Sequence, residues 1–494
     1  MKAQPLFDRA LRAFNDGAFD IASKLINRII ATHPRHADAL HLRGLVDLKR
    51  GAPHDALKWL TRAVEASPHP ISCNSLSAAQ TDVRDYAAAI RSAQLGLRMA
   101  AQHFPDLPTS PLWYNLGRAH QLGQQPEAAA ASYREALARH AGNAGGHNNL
   151  GTVLKDLGDL NAGIAHFEHA IALEPGNLEA HSNLGHALLA AGRYDEAWPF
   201  FEHRWISSTD AGRFPVIGET ELPLPRWSAG ALPADTRLLV LHEQGFGDAL
   251  QFCRYLTLAA GRFARIGYVC PAPLRQLFAQ SMPDIELLDA APDDLSRWTH
   301  YCSLMSLPML FGTRVETIPA PIPYLHAEPQ RARYWKTRLG DTKSPRIGLA
   351  WAGGHTGSLV DGRRSIAPDA LAPLLSYRGV QWISLQKAEV DAKKLPPAFA
   401  GHIIDWMDEV RDFADTAALI DNLDLVIAAD TSVAHLAAAM GKRVWLLNRF
   451  AGCWRWLRDR DDTPWYPNMR LFTQRARGDW DEVLSRVRAE LERL

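Results

Sequence analysis

Leucine–glycine pairs recur at Leu116-Gly117, Leu150-Gly151 and Leu184-Gly185, every 34 residues, and this period constrains the fold more than any other feature of the chain. A fixed period of that length signals a supersecondary unit repeated in tandem. The surrounding segments, WYNLGRAHQLGQQPEAAAASYREAL, HNNLGTVLKDLGDLNAGIAHFEHAIALEPGN and HSNLGHALLAAGRYDEAWPFFEHRW, also hold Tyr133, Phe167 and Phe201 in phase, with Pro175 at a repeat end. A glycine on the first helix of each unit lets the paired helix approach closely. Each helix pair buries its apolar face only against its neighbours, and a stack of such pairs leaves a long concave groove.

The pattern resembles the tetratricopeptide repeat. Weaker copies precede the three strong ones: HLRGLVDLKRGAPHDALKWLTRAVEASPHP with Gly44 in phase, NSLSAAQTDVRDYAAAIRSAQLGL, and a degenerate unit near Ala10 to Pro34. About six units fill residues 1–209, and AAQHFPDLPTSP inserts extra residues before Trp113. The expected occupant of the groove is a protein or peptide; self-association into a homo-oligomer is the alternative.

At 494 residues the chain is long enough for two or three domains. Formal charge is zero, with no basic run or tail, which argues against a nucleic-acid partner. The five cysteines form no CxxC pair and no Cys/His cluster at zinc spacing, so a reducing, cytoplasmic setting without a structural metal is expected. MKAQPLFDRALRAF carries charges throughout and lacks the apolar core of a signal peptide. No stretch reaches about eighteen uncharged apolar residues, so no membrane span is expected.

Helical periodicity stops in the Pro-rich stretch FPVIGETELPLPRW. Beyond it, LLVLHE, RIGYVC, IELLDA, RIGLAWAG, QWISLQK, LDLVIAAD and RVWLLN alternate with helical stretches, the signature of parallel sheets covered on both faces. The polar helix in AEPQRARYWKTRLGDTKSP separates two doubly wound, Rossmann-like units, residues 215–342 and 343–494, the second ending in the helix DWDEVLSRVRAELERL. Ligands of such sheets bind at strand carboxyl ends, here between two facing units.

Two turns there carry candidate chemistry. In LVLHEQGFGDALQF, Gly245 and Gly247 fit G-x-G, but Leu250 stands where a dinucleotide fingerprint has its third glycine. The glycines are expected to let the backbone turn sharply, presenting Asp248, with Glu243 as a second choice, to the space between the units. In IAADTSVAHLAAAMGKRVWLL a strand ends at Asp430 and a helix starts at Thr431 or Ser432; free N–H groups there bind a phosphate, with the two hydroxyls and His435 adding to it. Simple helix capping by Asp430 or Thr431 is the alternative. Lys387, at the end of QWISLQK, is expected to project toward a diphosphate. Gly353 and Gly354 open a loop bearing His355, Arg363, Arg364 and Ser365, with one of the two arginines a solvated surface charge. Trp454, Trp456, Trp465 and Tyr466 crowd GCWRWLRDRDDTPWYP; aromatics at this density pack an interface more often than they stack on a base.

The motifs EQGFGDALQF, GLAWAGGHTGS with RRSI, SLQK, DTSVAHLAAAMGKRVWLL and WRWLRDRDDTPWYPNMRLF occur in an order that resembles bacterial tetratricopeptide-repeat glycosyltransferases related to the heptosyltransferase-like family 9, of GT-B fold. The layout is similar to that of protein O-GlcNAc transferases. The resemblance implies that Asp248 is the catalytic base, that Thr431, Ser432 and His435 bind the donor diphosphate, and that Lys387 meets its phosphates. It implies inverting transfer from a nucleotide-diphosphate sugar to an acceptor hydroxyl, with no cofactor and no metal, since cations and N–H groups stabilise the leaving diphosphate. It implies a protein acceptor recruited by the repeats, for which flagellin or another surface protein would be suited. Glu243-Gln244 departs from the small hydroxyl residues usual before the glycines, so sugar and acceptor are not carried over. A nucleotide-sugar epimerase or hydrolase, or a non-catalytic repeat scaffold, are the competing functions.

Overall fold

The structure, a computed structural model, describes residues 3–205, 222–353, 359–387, 399 and 401–494. Its internal contacts divide it into two compact units, Met1–Leu184 and Gly185–Leu494. Gly354, His355 and most of the Pro-rich junction lie outside the described residues.

Six helix pairs fill the repeat region among the described residues: Ala3–Asn15 with Phe19–Thr32, Ala37–Lys49 with Pro53–Ala66, Pro70–Asp82 with Tyr86–His103, Ser110–Leu122 with Pro126–Arg139, Ala144–Asp156 with Leu160–Leu173, and Leu178–Ala190 with Tyr194–Phe201. Volume complementarity across each pair explains the Leu-Gly period. A Cβ on Gly117 would sit 2.7 Å from the Tyr133 ring, one on Gly151 2.8 Å from Phe167, one on Gly44 2.5 Å from Leu60, and one on Gly185 2.6 Å from the Phe201 backbone. Each of these glycines stands 16 positions before its large partner. The two units without the glycine hold Ala10 with Ile26 and Ser77 with Ala93 at the same positions, all buried. The small residue is thus matched to whatever faces it, and the repeat survives where its dipeptide does not.

Sequence periodicity runs to about residue 209, whereas the contact boundary falls at Leu184, because the helix Tyr194–Phe201 packs within the second unit. Trp198 Nε1 donates to the Thr313 carbonyl at 2.7 Å, and Trp465 Nε1 donates to the Tyr194 hydroxyl at 3.1 Å.

Among the described residues the second unit contains two sheets whose named strands all pair in parallel. In the first, β1 (Arg237–Leu241), β2 (Arg265–Val269), β3 (Glu286–Leu288) and β4 (His300–Ser303) are ordered β3-β2-β1-β4. In the second, β5 (Arg346–Ala350), β6 (Gln381–Ser384), β7 (Leu425–Ala429), β8 (Val444–Asn448) and β9 (Met469–Thr473) are ordered β6-β5-β7-β8-β9. β7 and β8 are buried along their whole length, as central parallel strands require. The helix Pro329–Leu339 joins the second half: Arg331 pairs with Asp415 at 2.6 Å and Asn422 Nδ2 donates to the Ala332 carbonyl at 2.9 Å. The last helix, Trp480–Leu491, covers the second sheet with Val483, Leu484, Val487 and Leu491. No helix among the described residues is long and apolar enough to cross a membrane.

Candidate functional site

β1 leads into the first turn, and the structure corrects the expected role of its glycines. The left-handed residue is Gln244, at φ 61°, whereas Gly245 lies at φ −91°. Gly247 matters for a different reason: a Cβ there would stand 3.1 Å from His435 Cδ2 and 3.7 Å from Ser432 Cα, so its absence lets the helix Phe246–Phe252 of the first half lie against the helix Ser432–Ala439 of the second. Asp248, three residues into the first of these helices, reaches back so that its Oδ2 accepts from the Gly245 N–H at 3.0 Å. Its Oδ1 accepts from Arg455. Asp248 and Ser432 therefore both stand beside Gly247, one from each half.

Glu243 is neither a surface acid nor an available base. It is 1% exposed, its oxygens are taken bidentately by Arg204 at 2.8 and 3.0 Å, and Oε1 also accepts the Met305 N–H at 2.8 Å. Burial raises its affinity for a proton, and the Arg204 charge opposes that effect. Ser306 and Glu202 complete the network around Arg204. Its function is to tie the turn following β1 to the end of the repeat region.

At the end of β7 the helix starts where expected, with Thr431 as the residue before its first turn. Thr431 makes no side-chain capping bond, so the simple-capping alternative does not describe it. Its hydroxyl is buried without a hydrogen-bond partner among the described residues. The Asp430 carboxylate is 4.0 Å from His435 Nε2, and the Asp430 carbonyl accepts from Arg364 at 3.2 Å. Arg364 is thus the arginine of the pair that reaches the strand end; Arg363 precedes it in the last turn of the same helix. A Cβ on Gly353 would overlap the Arg364 guanidinium, so Arg364 packs directly over this backbone. Gln386 holds the start of that loop, accepting the N–H groups of Trp351 and Ala352 at 3.0 and 2.8 Å. Lys387 departs from expectation: its Nζ donates to the carbonyls of Met407 and Val410 at 2.9 and 2.7 Å.

His435 sits at the centre of a cationic cluster. It is buried, its Nδ1 shares a hydrogen bond with the Tyr466 hydroxyl at 3.0 Å, and it stacks on Trp456 at 5.3 Å. Burial, then the charges of Arg455, Arg254 and Arg364, hold its pKa well below the usual imidazole value, so it is neutral at pH 7. Arg254 is 2% exposed and donates only to neutral acceptors among the described residues: the carbonyls of Gln251, Pro319 and Trp465, and the Tyr324 hydroxyl, each at 2.9 Å. Arg455 bonds Asp248, Gln251 and the Cys453 sulfur. Gln251 Nε2 and Trp456 Nε1 are, like Thr431 Oγ1, buried without a partner among the described residues. Three arginines and three unpartnered donors in one region form a site short of acceptors, suited to an anion rich in oxygen.

Sequence reasoning overlooked Arg254, two residues past the end of LVLHEQGFGDALQF, and Arg455, which lies inside GCWRWLRDRDDTPWYP. Their signal was an arginine embedded among aromatics, which is costly unless the charge is used. Those aromatics divide their roles. Trp454 packs with Trp198 at 6.1 Å and Phe201 at 5.8 Å, while Trp456 and Tyr466 enclose His435.

Fold and site together define a class: helical repeats joined to a two-sheet parallel α/β region whose strand ends carry an arginine cluster. More particularly, its parts are similar to two known families. Residues 6–69, 110–139 and 154–197 match tetratricopeptide repeats. Residues 410–447, which run through β7, Asp430–His435 and β8, match glycosyltransferase family 9 (heptosyltransferase). Protein FlbA of Caulobacter vibrioides is 28% identical over 311 residues, 57% of this chain and 50% of that protein, so the chain spans about half the length of that relative. Among solved structures, a thermophilic tetratricopeptide-repeat protein of Thermus thermophilus matches at TM-score 0.32 and 21% identity, covering 38% of this chain and 100% of that one. PilW, a widely conserved type IV pilus biogenesis factor, matches at TM-score 0.38 and 14% identity, covering 42% and 96%.

Proposed function

We propose that the second unit is a glycosyltransferase that moves a sugar from a nucleotide-diphosphate donor to an acceptor hydroxyl with inversion, and that the repeats recruit the acceptor as a protein or peptide. The observation that carries this reading is the convergence on His435 of Arg254, Arg364 and Arg455 with the uncapped helix start at Thr431–Ser432, while Asp248 of the first half bonds one of these arginines, Arg455.

In the proposed step, Asp248 takes the proton from the acceptor hydroxyl as that oxygen bonds to the anomeric carbon. The bond from the anomeric carbon to the diphosphate breaks, and its electron pair leaves with the phosphate oxygen. The arginines and the helix-end N–H groups stabilise the charge that grows there. Neutral His435 can donate to a phosphate oxygen without adding to the charge of the arginines. These cations supply the stabilisation that a metal would otherwise provide, so turnover is expected to persist in the presence of a chelator.

The test is incubation of the full chain with a panel of nucleotide sugars, with and without candidate acceptor proteins, while nucleoside diphosphate release is measured. Release that depends on an acceptor supports transfer. Release from every productive donor without any acceptor would point to hydrolysis, and no release with no thermal shift from any donor would leave only a scaffold.

A further inference from the structure

The pairing of Asp248 with Arg455 conflicts with a base in waiting. One carboxylate oxygen accepts the Gly245 N–H and the other accepts the Arg455 guanidinium, so an acceptor hydroxyl would have to share an oxygen that is already engaged. The Gly245 bond belongs to the local fold of the helix start. The Arg455 bond comes from a segment 207 positions away in the chain and can be given up without unfolding that helix.

We propose that Arg455 is a latch on Asp248 that the donor diphosphate releases. This rests on the glycosyl-transfer reading above. Arg455 is placed between two anionic positions: it bonds Asp248 of the first half, and its charge is felt at Asp430 and His435 of the second. A guanidinium fork fits a phosphate as well as a carboxylate, and a diphosphate carries more negative charge than Asp248, so it wins the competition once seated at Ser432. The guanidinium lies over the Trp454 ring at 4.6 Å, a face along which it can shift while keeping its cation–π contact. Gln251, whose Oε1 Arg455 also holds, retains a buried Nε2 without a partner among the described residues, so the hydrogen bonding around the latch is not fully satisfied. The consequence is an enforced order: donor binds first, Arg455 moves to it, and only then is Asp248 free to take the acceptor's proton.

The test is a double-mutant cycle at pH 7.5, with binding of inorganic pyrophosphate and of a nucleoside diphosphate panel measured by calorimetry on the full chain. If Arg455 is shared between carboxylate and diphosphate, Asp248→Asn tightens binding about tenfold and Arg455→Gln weakens it about tenfold. In the Arg455→Gln background, Asp248→Asn then changes affinity by less than about twofold. Equal tightening by Asp248→Asn in both backgrounds means simple charge repulsion and overturns the latch, as does unchanged affinity in Arg455→Gln. Should Arg455→Gln fail to fold, Arg455→Lys, which keeps the charge and loses the fork, replaces it with the same expected direction. Failure of every form to bind any diphosphate overturns the donor site itself, whereas failure of the cycle with binding intact overturns only the latch.

Discussion

Two carboxylates five positions apart, Glu243 and Asp248, differ in what encloses them. Glu243 is shut into a bidentate pair with Arg204, and removing its charge leaves a buried guanidinium uncompensated. Glu243→Gln is therefore expected to cost about 3–5 kcal/mol of stability, read as a lower urea midpoint. An unchanged midpoint would show the pair to be dispensable. Asp248 is half-buried and bonded to Arg455 of the second half, so Asp248→Ala is expected to lower turnover by about 10²–10⁴-fold while nucleoside diphosphates still bind. Wild-type turnover in that variant would remove it as the base. Nothing local in the sequence could reveal that Arg204, 39 positions upstream, occupies the first.

The same argument of matched partners governs the elements. Gly117 is crowded only by side-chain atoms of Tyr133, so the clash a new methyl would cause lies between two side chains. Gly117→Ala is expected to lose about 1–3 kcal/mol. Tyr133→Ala loses about 3–5 kcal/mol by leaving a cavity. Together they should cost less than their sum, because the double variant approximates the Ser77 with Ala93 pair that the chain already uses. Urea denaturation of the full chain followed by circular dichroism measures all three, and strict additivity would show that the two positions do not pack on each other. The repeat helices were legible because their period is local and amphipathic. β4 and β9 were not: HYCS is four residues with a polar start, and MRLFT is an edge strand that exposes Arg470 between buried neighbours. Neither shows the apolar run by which the central strands were read.

At the scale of the whole molecule, buried neutral histidines link stability to pH. His41, His242 and His435 have pKa values lowered from the usual 6.5, chiefly by burial. The unfolded chain takes up protons on these groups as pH falls through that value, while the folded protein resists until its own lower pKa. Stability is therefore complete above about pH 7 and falls with decreasing pH, by at most about 1.4 kcal/mol per pH unit for each such histidine. The urea midpoint is expected to drop between pH 7.5 and 5.5. A flat or rising midpoint would mean these imidazoles are protonated in the fold. Turnover, once a donor is found, is expected to be insensitive to EDTA, in keeping with the arginine cluster as the counter-charge for the leaving diphosphate.

The sequence alone determined whatever depends on near neighbours: the helix pairs with their small-to-large matching, the central parallel strands, the helix start at Thr431, and a carboxylate three residues into the helix after β1. Tertiary structure decided how these charges are used. It put Arg204 on Glu243, carbonyl oxygens on Lys387, and Arg254, Arg364 and Arg455 around a neutral His435. The reason is physical. Helix and strand signals act over a few residues, whereas a charge is assigned its partner by burial and by distance in space, between positions that lie tens to hundreds of residues apart in the chain.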